Sequence, residues 1–392
     1  MSNRRALVVG LGIAGMATAL SLQSAGWTPV IIERSAKRRT GGYFIGLFPE
    51  GQEAAKQLGV FENIHTRNAH GRNWDQDDHG NRDQVPAFAD QPGSPKGVLR
   101  GDVEAGLWLG IEDKVEVRFS TVPVAITDKR NGVWVSLKNQ VTGDTYSENF
   151  NLVIGADGLR SKVRSLVFGP HEDYLKSLNA IICAFEFTEQ VPRYDMQDGI
   201  TVCGSRRALW IFPFSDRSPT ALFTYRTESV SAQFKKPPLH VLKERFDGLS
   251  GNGVVEHALG ELARAEDSLF DSVYQVRMSK WFKGKVVLVG DAAWCLTLYS
   301  GMGVTAGLKG GYELGRALQD ASNDLSTALK LWESSMRPFV KKHQRLAYVK
   351  RELFVPSNRL TGLIRKAALL LMQRKASRVR AGAESAGYLG KD

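Results

Sequence analysis

The first 34 residues constrain the fold of this chain more than any other stretch, because they combine a strand, a glycine-rich turn, a helix and a second strand. Residues 4–10 are predicted to form a short buried strand, which leads into the spacing G-x-G-x-x-G at residues 10–15. A helical pattern follows and ends at Gly26, and a second strand at 29–32 ends on Glu33. This order of elements is typical of a βαβ unit that binds a dinucleotide.

Each part of this unit has a physical role. The glycines allow a tight turn, a close approach of the backbone to a pyrophosphate, and close packing of the helix on the strand. The helix N-terminus offers free N–H groups to phosphates, and the acid after the second strand can accept hydrogen bonds from a ribose diol. The alternative, a glycine-bearing turn without a function, does not explain why all the parts occur in order. The predicted contacts are Gly10, Leu11, Gly12, Ala14, Gly15, Glu33 and Arg34.

The positive charge of this 392-residue chain is confined to its C-terminal part. Residues 336–392 carry 14 Lys or Arg and three acidic residues, which accounts for the whole net charge of +11. A basic tail says little about a pocket elsewhere and does not indicate nucleic-acid binding. The length is sufficient for a large core and two subdomains. No apolar run reaches the about twenty residues that cross a bilayer.

The three cysteines, Cys183, Cys203 and Cys295, are far apart in the sequence and form no C-x-x-C pair. This spacing argues against a disulfide framework and against a zinc cluster. We therefore expect a reducing, cytoplasmic environment and no metal site.

Two later strands also end on an acidic residue. Residues 152–158 deliver Asp157 and then a glycine, and residues 284–293 deliver Asp291. Ligands of parallel α/β sheets bind at the carboxyl ends of the strands, so both acids are candidate binding residues. The helix predicted next can turn its first N–H groups toward an anionic ring edge. These first residues are Gly301, Met302 and Gly303.

Arg100 stands where a predicted strand, 98–100, meets a predicted helix. An arginine at such a junction can reach a ring carbonyl or a phosphate. A surface ion pair is the alternative, and it is the commoner fate of an arginine.

Residues 178–227 change to a period of two, which predicts an antiparallel sheet. Aromatic side chains recur on its strands, with Trp210, Phe212 and Phe214 in one set and Phe223 and Tyr225 in the next. Such a surface could line a pocket for a flat organic substrate, and we name Phe212 and Tyr225 as candidates. The alternative for each residue is a sheet face packed on a helix.

The three strand-to-glycine junctions together resemble the class A flavoprotein monooxygenases, which have the para-hydroxybenzoate hydroxylase fold. The nearer resemblance is to the branch of tetracycline-inactivating monooxygenases. The first junction resembles the nucleotide fingerprint of the family, residues 155–158 (GADG) its DG motif, and residues 290–293 (GDAA) its GD motif. The resemblance covers residues 4–345.

This resemblance implies roles for the candidate residues. Gly10, Gly12, Gly15 and Glu33 would hold the ADP half of FAD, and Arg100 would contact the flavin. Asp291 would bond the ribityl chain, Gly301 to Gly303 would face the pyrimidine edge, and Asp157 would support both FAD and a nicotinamide cofactor. In many relatives, a histidine stands at the position of Trp294, a proline at that of Leu298, and an acidic-alanine pair at that of Gly310-Gly311.

The fold class expected from this resemblance is α/β. A Rossmann-like FAD-binding domain with a parallel sheet is combined with an antiparallel-sheet substrate domain and C-terminal helices. The expected FAD-binding domain comprises 1–70, 98–177 and 280–330. The expected substrate domain comprises 71–97 and 178–279, and the C-terminal bracing helices with the basic tail comprise 331–392.

The implied activity is an FAD-dependent, NAD(P)H-using monooxygenase. It would oxygenate a flat aromatic or polyketide-like molecule with O2, through a flavin C4a-hydroperoxide. No side chain is predicted to act as a catalytic acid or base. Two alternatives stay open, namely an FAD-dependent reductase or dehydrogenase of the same fold and a non-catalytic flavoprotein that binds a metabolite.

The C-terminal residues 360–380 are predicted to form a helix with one apolar stripe among basic residues. The stripe consists of Leu360, Leu363, Ile364, Ala367, Leu370 and Leu371. It can pack across the two subdomains as a brace, or it can lie on an anionic membrane surface. We favour the brace over membrane association, and we expect a monomer.

Overall fold

The computed structural model describes residues 4–39, 41–77, 80–91, 93–320 and 324–385, with side chains up to residue 374. Within this part of the chain two compact units form. Unit 1 comprises Met1–Thr66, Val98–Leu178 and Tyr274–Ala347, and unit 2 comprises Arg67–Gly97, Asn179–Val273 and Tyr348–Asp392. The sequence predicts a separate segment at 331–392, whereas these residues are divided between the two units.

The strands in chain order are β1 (Arg5–Val9), β2 (Thr28–Ile32), β3 (Phe44–Leu47), β4 (Asn73–Gln76), β5 (Arg82–Val85), β6 (Lys96–Leu99), β7 (Glu116–Arg118), β8 (Thr121–Lys129), β9 (Gly132–Asn139), β10 (Thr145–Phe150), β11 (Leu152–Gly155), β12 (Leu175–Glu186), β13 (Gly199–Gly204), β14 (Arg207–Phe212), β15 (Thr220–Arg226), β16 (Leu269–Val276), β17 (Phe282–Lys283) and β18 (Val286–Leu288).

The α-helices are α1 (Ile13–Ser24), α2 (Pro49–Gln57), α3 (Arg100–Ile111), α4 (Lys162–Val167), α5 (Pro238–Phe246), α6 (Val254–Arg264), α7 (Asp291–Trp294), α8 (Gly303–Asp320), α9 (Leu325–Phe354) and α10 (Arg359–Ser385). Short 3-10 turns lie at Phe61–Asn63, Phe88–Asp90, His171–Asp173, Ser231–Lys235 and Leu298–Ser300. Among the helices of the described residues, none has the length and apolar character needed to cross a bilayer.

Unit 1 is built on a six-stranded sheet with the order β17-β18-β11-β1-β2-β7. The strands run parallel, except that β17 is antiparallel to β18. β11 and β18 are buried along their whole length, as parallel strands covered on both faces are. The carboxyl ends of β1, β2, β11 and β18 therefore lie along one edge. Together with the antiparallel sheets, this architecture confirms the predicted fold class.

One strand of unit 1 differs from the expectation. The alternating pattern at 115–119 predicts a small antiparallel strand, but β7 pairs in parallel with β2, with Val117 opposite Ile31. Alternation reports which side chains are buried and does not identify the partner strand. β8, β9 and β10 form an antiparallel sheet, as the alternating patterns at 122–129, 133–138 and 145–150 predict.

Helices α1 and α8 of unit 1 pack with their backbones close together. A Cβ atom at Gly311 would lie 2.7 Å from the Thr18 nitrogen, and one at Gly315 would collide with Ser21. The Ser21 hydroxyl also donates to the Tyr312 carbonyl oxygen, at 2.7 Å. No side chain can therefore enter between these two helices at these positions.

Unit 2 is built on a seven-stranded sheet with the order β16-β12-β15-β14-β13-β4-β5. The pairs from β12 to β13 in this order are antiparallel, and β13 pairs in parallel with β4. One face of the sheet packs on α5 and α6 in a buried core that includes Phe223, Phe246 and Leu262.

Helix α10 of unit 2 is oriented opposite to the expectation. Its predicted apolar stripe faces solvent, whereas Arg365 points inward with 4% of its side chain exposed. The Arg365 guanidinium donates two hydrogen bonds of 2.8 Å to the carboxylate of Asp75 on β4. The prediction that the stripe packs as a brace is therefore wrong, because a buried two-bond ion pair determines which face of the helix is covered.

Candidate functional site

The three predicted strand-to-glycine junctions meet in unit 1. Gly10 has φ +109°, and a Cβ atom there would lie 2.6 Å from the Ala156 carbonyl oxygen of the second junction. A Cβ atom at Gly290, in the third junction, would lie 2.6 Å from the Cβ of Ala14. A Cβ atom at Gly15 would collide with the Gly10 carbonyl oxygen. These glycines are required because the backbones touch.

Gly12 differs from these glycines because space lies beside it. It precedes α1, and a Cβ atom there would meet only Nη2 of Arg100, at 4.0 Å. The first N–H groups of a helix have no partner within the helix. A glycine at a helix start, free N–H groups and a nearby guanidinium form a cradle that fits a phosphate.

Glu33 is held at the end of β2 and turned toward the first junction. One carboxylate oxygen accepts from the Leu11 N–H at 2.9 Å, and the other accepts from the Ser35 N–H at 2.9 Å. Each carboxylate oxygen can accept more than one hydrogen bond, so capacity for a ribose diol remains. Arg34 follows on an exposed position.

Asp157, at the second junction, is used to cap α4. Its carboxylate accepts from the Ser161 hydroxyl at 2.5 Å and from the N–H groups of Lys162 and Val163 at 2.6 and 3.1 Å. Burial raises the pKa of this carboxyl group, although these donors act in the opposite direction. Asp157 therefore shapes the loop that follows β11.

Arg164 connects the second and third junctions, and sequence reasoning missed it. Its fully buried guanidinium donates to the carbonyl oxygens of Ala292 at 2.8 Å and Leu159 at 2.7 Å, and lies 3.0 Å from Nδ1 of His171. Arginines are mostly exposed, so the sequence predicts no such role. The sequence offers one indication of this role. Arg164 lies three residues after the capping Ser161, whose hydroxyl accepts from the Arg164 N–H.

Arg100, Glu104, Tyr43 and Asp291 form a charged group beside the third junction. Nη2 of Arg100 lies 2.8 Å from Oε1 of Glu104, and the Arg100 N–H donates to the Tyr43 carbonyl oxygen at 3.3 Å. Burial alone would lower the pKa of Arg100, but Glu104, Tyr43 and Asp291 raise it overall. The Arg100 charge is therefore strongly maintained within the group.

All three acids of this group, Asp291, Tyr43 and Glu104, have pKa values above their usual range, and burial is the main cause in each. Burial raises the pKa of Asp291, and Arg100 partly opposes that shift. Burial also raises the pKa of the Tyr43 phenol, again against Arg100. Asp291 is surrounded by protein atoms, yet its residue surface is still exposed to solvent. Tyr43 was not predicted, although the glycine pair before it was a signal, since Gly42 lets the chain pass close to Arg100.

The loop before α8 contains a residue, Thr297, with a strained backbone conformation and a buried hydroxyl that lacks a hydrogen-bond partner in the described structure. Thr297 has φ +73°, which a β-branched residue rarely adopts and which costs about 1–3 kcal/mol. Its Oγ1 is buried, and within the described structure it has no hydrogen-bond partner. Buried hydroxyls are normally paired, so this atom fits a site that receives a polar group from a bound molecule.

Ser300, two residues after Leu298, holds this loop in place. Its hydroxyl donates to the Thr297 carbonyl oxygen at 2.8 Å and accepts from the Met302 N–H at 3.1 Å. Gly301 then adopts φ +70°, and Gly303 begins α8 with no atom within 4 Å of a would-be Cβ. The second helix start is therefore open, as the first one is at Gly12.

The two candidate substrate-pocket residues lie on opposite faces of the unit 2 sheet. Leu209 pairs with Phe223 and Arg207 with Tyr225, so Tyr225 faces α5 and α6. Tyr225 is 2% exposed, and its hydroxyl donates to Gln233 at 3.0 Å. The expectation of one continuous aromatic surface is therefore corrected, because a shift of one residue changes the face.

Phe212 lies on the other face, half-buried, with its ring stacked on Trp210 at 6.1 Å between centroids. Trp210 in turn donates its Nε1–H to the Phe354 carbonyl oxygen at 3.0 Å. Only Phe212 of the two candidates therefore stays available for a substrate wall.

Comparison with known proteins agrees with this geometry. Residues 4–345 match the family described as FAD binding domain. A flavin-dependent monooxygenase of an unknown prokaryotic organism is 29% identical, with 89% of both chains covered. One from Legionella longbeachae serogroup 1 (strain NSW150) is 28% identical, with 90% of both chains covered. The solved structure of tetracycline destructase Tet(55) is 25% identical and has a TM-score of 0.78, with 95% of this chain and 97% of that chain covered.

The open helix starts, the guanidinium of Arg100 and the orphan hydroxyl of Thr297 fit FAD as the bound group. The resemblance to class A flavoprotein monooxygenases and their tetracycline-inactivating branch is confirmed. The reductase and the non-catalytic flavoprotein are therefore set aside. The chain belongs to the FAD binding domain family and is an FAD-dependent monooxygenase.

Proposed function

We propose that this monooxygenase uses NAD(P)H and O2 to oxygenate a flat aromatic or polyketide-like compound. The observation that carries the substrate class is the stacked pair of Trp210 and Phe212, with 13° between the ring planes, on the sheet face opposite α5 and α6. An aromatic wall favours flat apolar rings. The relative Tet(55) is named for tetracycline, a flat four-ring polyketide, which supports the same class.

Each part of the cofactor site has a proposed role. The backbone at the start of α1 would hold the pyrophosphate, Glu33 the ribose, and Asp291 the ribityl hydroxyls. Arg100 and the start of α8 would face the ring. The full set is Gly10, Leu11, Gly12, Ala14, Gly15, Glu33, Arg34, Arg100, Asp157, Asp291, Gly301, Met302 and Gly303.

Bound FAD supplies hydride acceptance from NAD(P)H and activation of O2. The chain contributes binding, orientation and electrostatics. The positive end of α8 and the Arg100 guanidinium stabilise negative charge on a ring placed beside them. Asp291 orients the chain of hydroxyls, and Asp157 and Arg164 fix the loops that carry these groups. No side chain is assigned as a catalytic acid or base.

A cytoplasmic, monomeric protein is part of this proposal. The three cysteines are all unpaired, as is usual in a reducing compartment.

The test begins with the absorbance spectrum of the purified protein and continues with NADH and NADPH oxidation and O2 uptake. A panel of tetracyclines, polycyclic phenols and non-aromatic lipids is compared. We expect flat aromatic compounds to stimulate O2 uptake and to gain one oxygen atom. Stimulation by the non-aromatic compounds alone would contradict the substrate class.

A matched pair of variants tests the aromatic wall. Phe212→Ala should raise KM for the aromatic substrate roughly tenfold, without changing the content of FAD. Tyr225→Phe, on the covered face, should leave KM unchanged. An equal effect of both variants would exclude Phe212 as part of the wall.

A further inference from the structure

Helix α10 presents a row of large apolar side chains to solvent. The exposed fractions are 66% for Leu360, 67% for Leu363, 60% for Ile364 and 64% for Leu371. These positions, with the exposed Ala367, follow the spacing of three and four residues that places side chains on one face of a helix. A contiguous apolar face of this kind indicates an interaction surface.

The outward orientation of this face is fixed by charges on the inner side. Arg365 is held by both oxygens of Asp75, and its Nε–H donates to the Leu353 carbonyl oxygen at 2.7 Å. Lys366 lies 2.8 Å from the carboxylate of Asp83 on β5. Rotation of the helix to cover its leucines would remove Arg365 from Asp75 and leave a buried charge unpaired. The apolar stripe is therefore exposed in the stable arrangement.

The charged residues of the helix segment that carries the stripe are all basic. Residues 353–383 contain seven Lys or Arg and no Asp or Glu. Arg359 and Arg374, at the two ends of the stripe, are both exposed. Long basic side chains beside an apolar face can extend to anionic groups while the face itself is covered.

We propose that α10 binds an anionic lipid surface, with its apolar stripe among the acyl chains and its exposed Arg359 and Arg374 at the phosphate groups. The alternative occupant, a second copy of this chain, would bring like charges together along the whole helix, which disfavours it. The proposed binding is peripheral to the membrane, in accord with the finding that no helix of the described residues is suited to crossing a bilayer. This role is separate from the cofactor site in unit 1.

The test is vesicle flotation of the full-length FAD-loaded protein. Vesicles of phosphatidylcholine with phosphatidylglycerol are compared with vesicles of phosphatidylcholine alone. We expect roughly tenfold stronger binding to the anionic vesicles, and weaker binding at high salt. Binding that does not depend on anionic lipid, or no binding, would overturn the proposal.

A pair of variants separates the stripe from general surface stickiness. Leu363→Ser with Leu371→Ser should reduce binding by about tenfold or more. Leu331→Ser on α9 serves as the control, since Leu331 is 60% exposed and lies in unit 1. NAD(P)H oxidation should be unchanged in both proteins. Unchanged flotation of the double variant would overturn the proposal, and so would a wild-type dimer in light scattering that the double variant abolishes.

Discussion

The indole ring of Trp294 lies where a side chain at position 310 would begin, so that a Cβ atom at Gly310 would be 2.7 Å from Cζ2 of the ring. Trp294 packs against Trp281 and Trp332, with centroids at 4.6 and 5.8 Å. Trp332 donates its Nε1–H to the Gly310 carbonyl oxygen at 3.0 Å. The two departures from the family pattern therefore compensate each other, because the larger ring of Trp294 occupies the space that the absent side chain of Gly310 leaves.

This relationship predicts non-additive stability. Gly310→Ala should lower the free energy of unfolding by about 1–3 kcal/mol, because the buried ring has no room to move. In a Trp294→Phe background the same change should cost clearly less. Urea unfolding of the four proteins measures the coupling, and strictly additive values would disprove the compensation.

Gly12→Val should give a folded protein without FAD. The space beside Gly12 accepts a side chain in the free protein, but the backbone could no longer approach a pyrophosphate. The measurements are flavin content from the visible spectrum and thermal unfolding of the FAD-free form. Gly260→Ala, on α6 with no atom within 4 Å, is the control and should keep its flavin. Full flavin occupancy in the Gly12 variant would refute the proposal that the backbone at Gly12 forms a phosphate-binding cradle.

Asp291→Ala should weaken FAD binding by about one to two orders of magnitude, the value of a lost charged hydrogen-bond acceptor. Since burial raises the pKa of Asp291, the carboxylate is lost at a higher pH than an ordinary aspartate. FAD affinity of the wild type should therefore fall early as pH decreases, and Asp291→Asn should lack this step. Fluorescence titrations across pH test both effects; identical profiles would rule out the role.

Arg164→Met should destabilise the protein by about 2–3 kcal/mol, because the buried Ala292 and the partly buried Leu159 carbonyl oxygens lose their donor. Burial and the Arg164 charge both lower the pKa of His171. The variant should therefore raise the His171 pKa, which an NMR titration detects. Arg164→Lys keeps the charge and should retain most of the shift. A constant His171 pKa in both variants would contradict the contact.

Glu261 should stabilise unit 2 at neutral pH and cease to do so in acid. Its buried carboxylate accepts from the Thr188 N–H, the Thr188 hydroxyl and the Glu189 N–H, at 2.5, 2.9 and 3.1 Å. Burial alone would raise the pKa of Glu261, but these donors lower it overall. A lowered pKa gives stability above the unfolded pKa, and this stability is lost as pH falls through the folded pKa.

Glu261→Gln should thus cost about 2–3 kcal/mol at neutral pH and much less in acid. Unfolding free energies of both proteins over a pH series provide the measurement. A difference that stays constant with pH would show that the carboxylate charge does not matter.

Local patterns were sufficient to predict the elements that form the candidate cofactor site. The strand, glycines and helix of residues 5–24 are adjacent in sequence, and the residue pattern of each segment indicates its own conformation. Contacts between distant residues were not predictable. Arg365 and Asp75 are 290 residues apart, and their pairing reverses the helix face that periodicity predicts to be buried. Similarly, the strand register that turns Tyr225 away from Phe212 is set by pairing and not by either strand alone.

The close packing of α1 on α8 has a consequence for how such an enzyme can change. Because Gly311 and Gly315 admit no side chain against Thr18 and Ser21, the separation of the two helix starts is set by the backbones themselves. Single substitutions can alter charge or shape around the cleft, but they cannot shorten or lengthen this spacing. For the proposed placement of FAD, the distance between the two helix starts is thus fixed by the fold, and new activities have to arise from the residues around it.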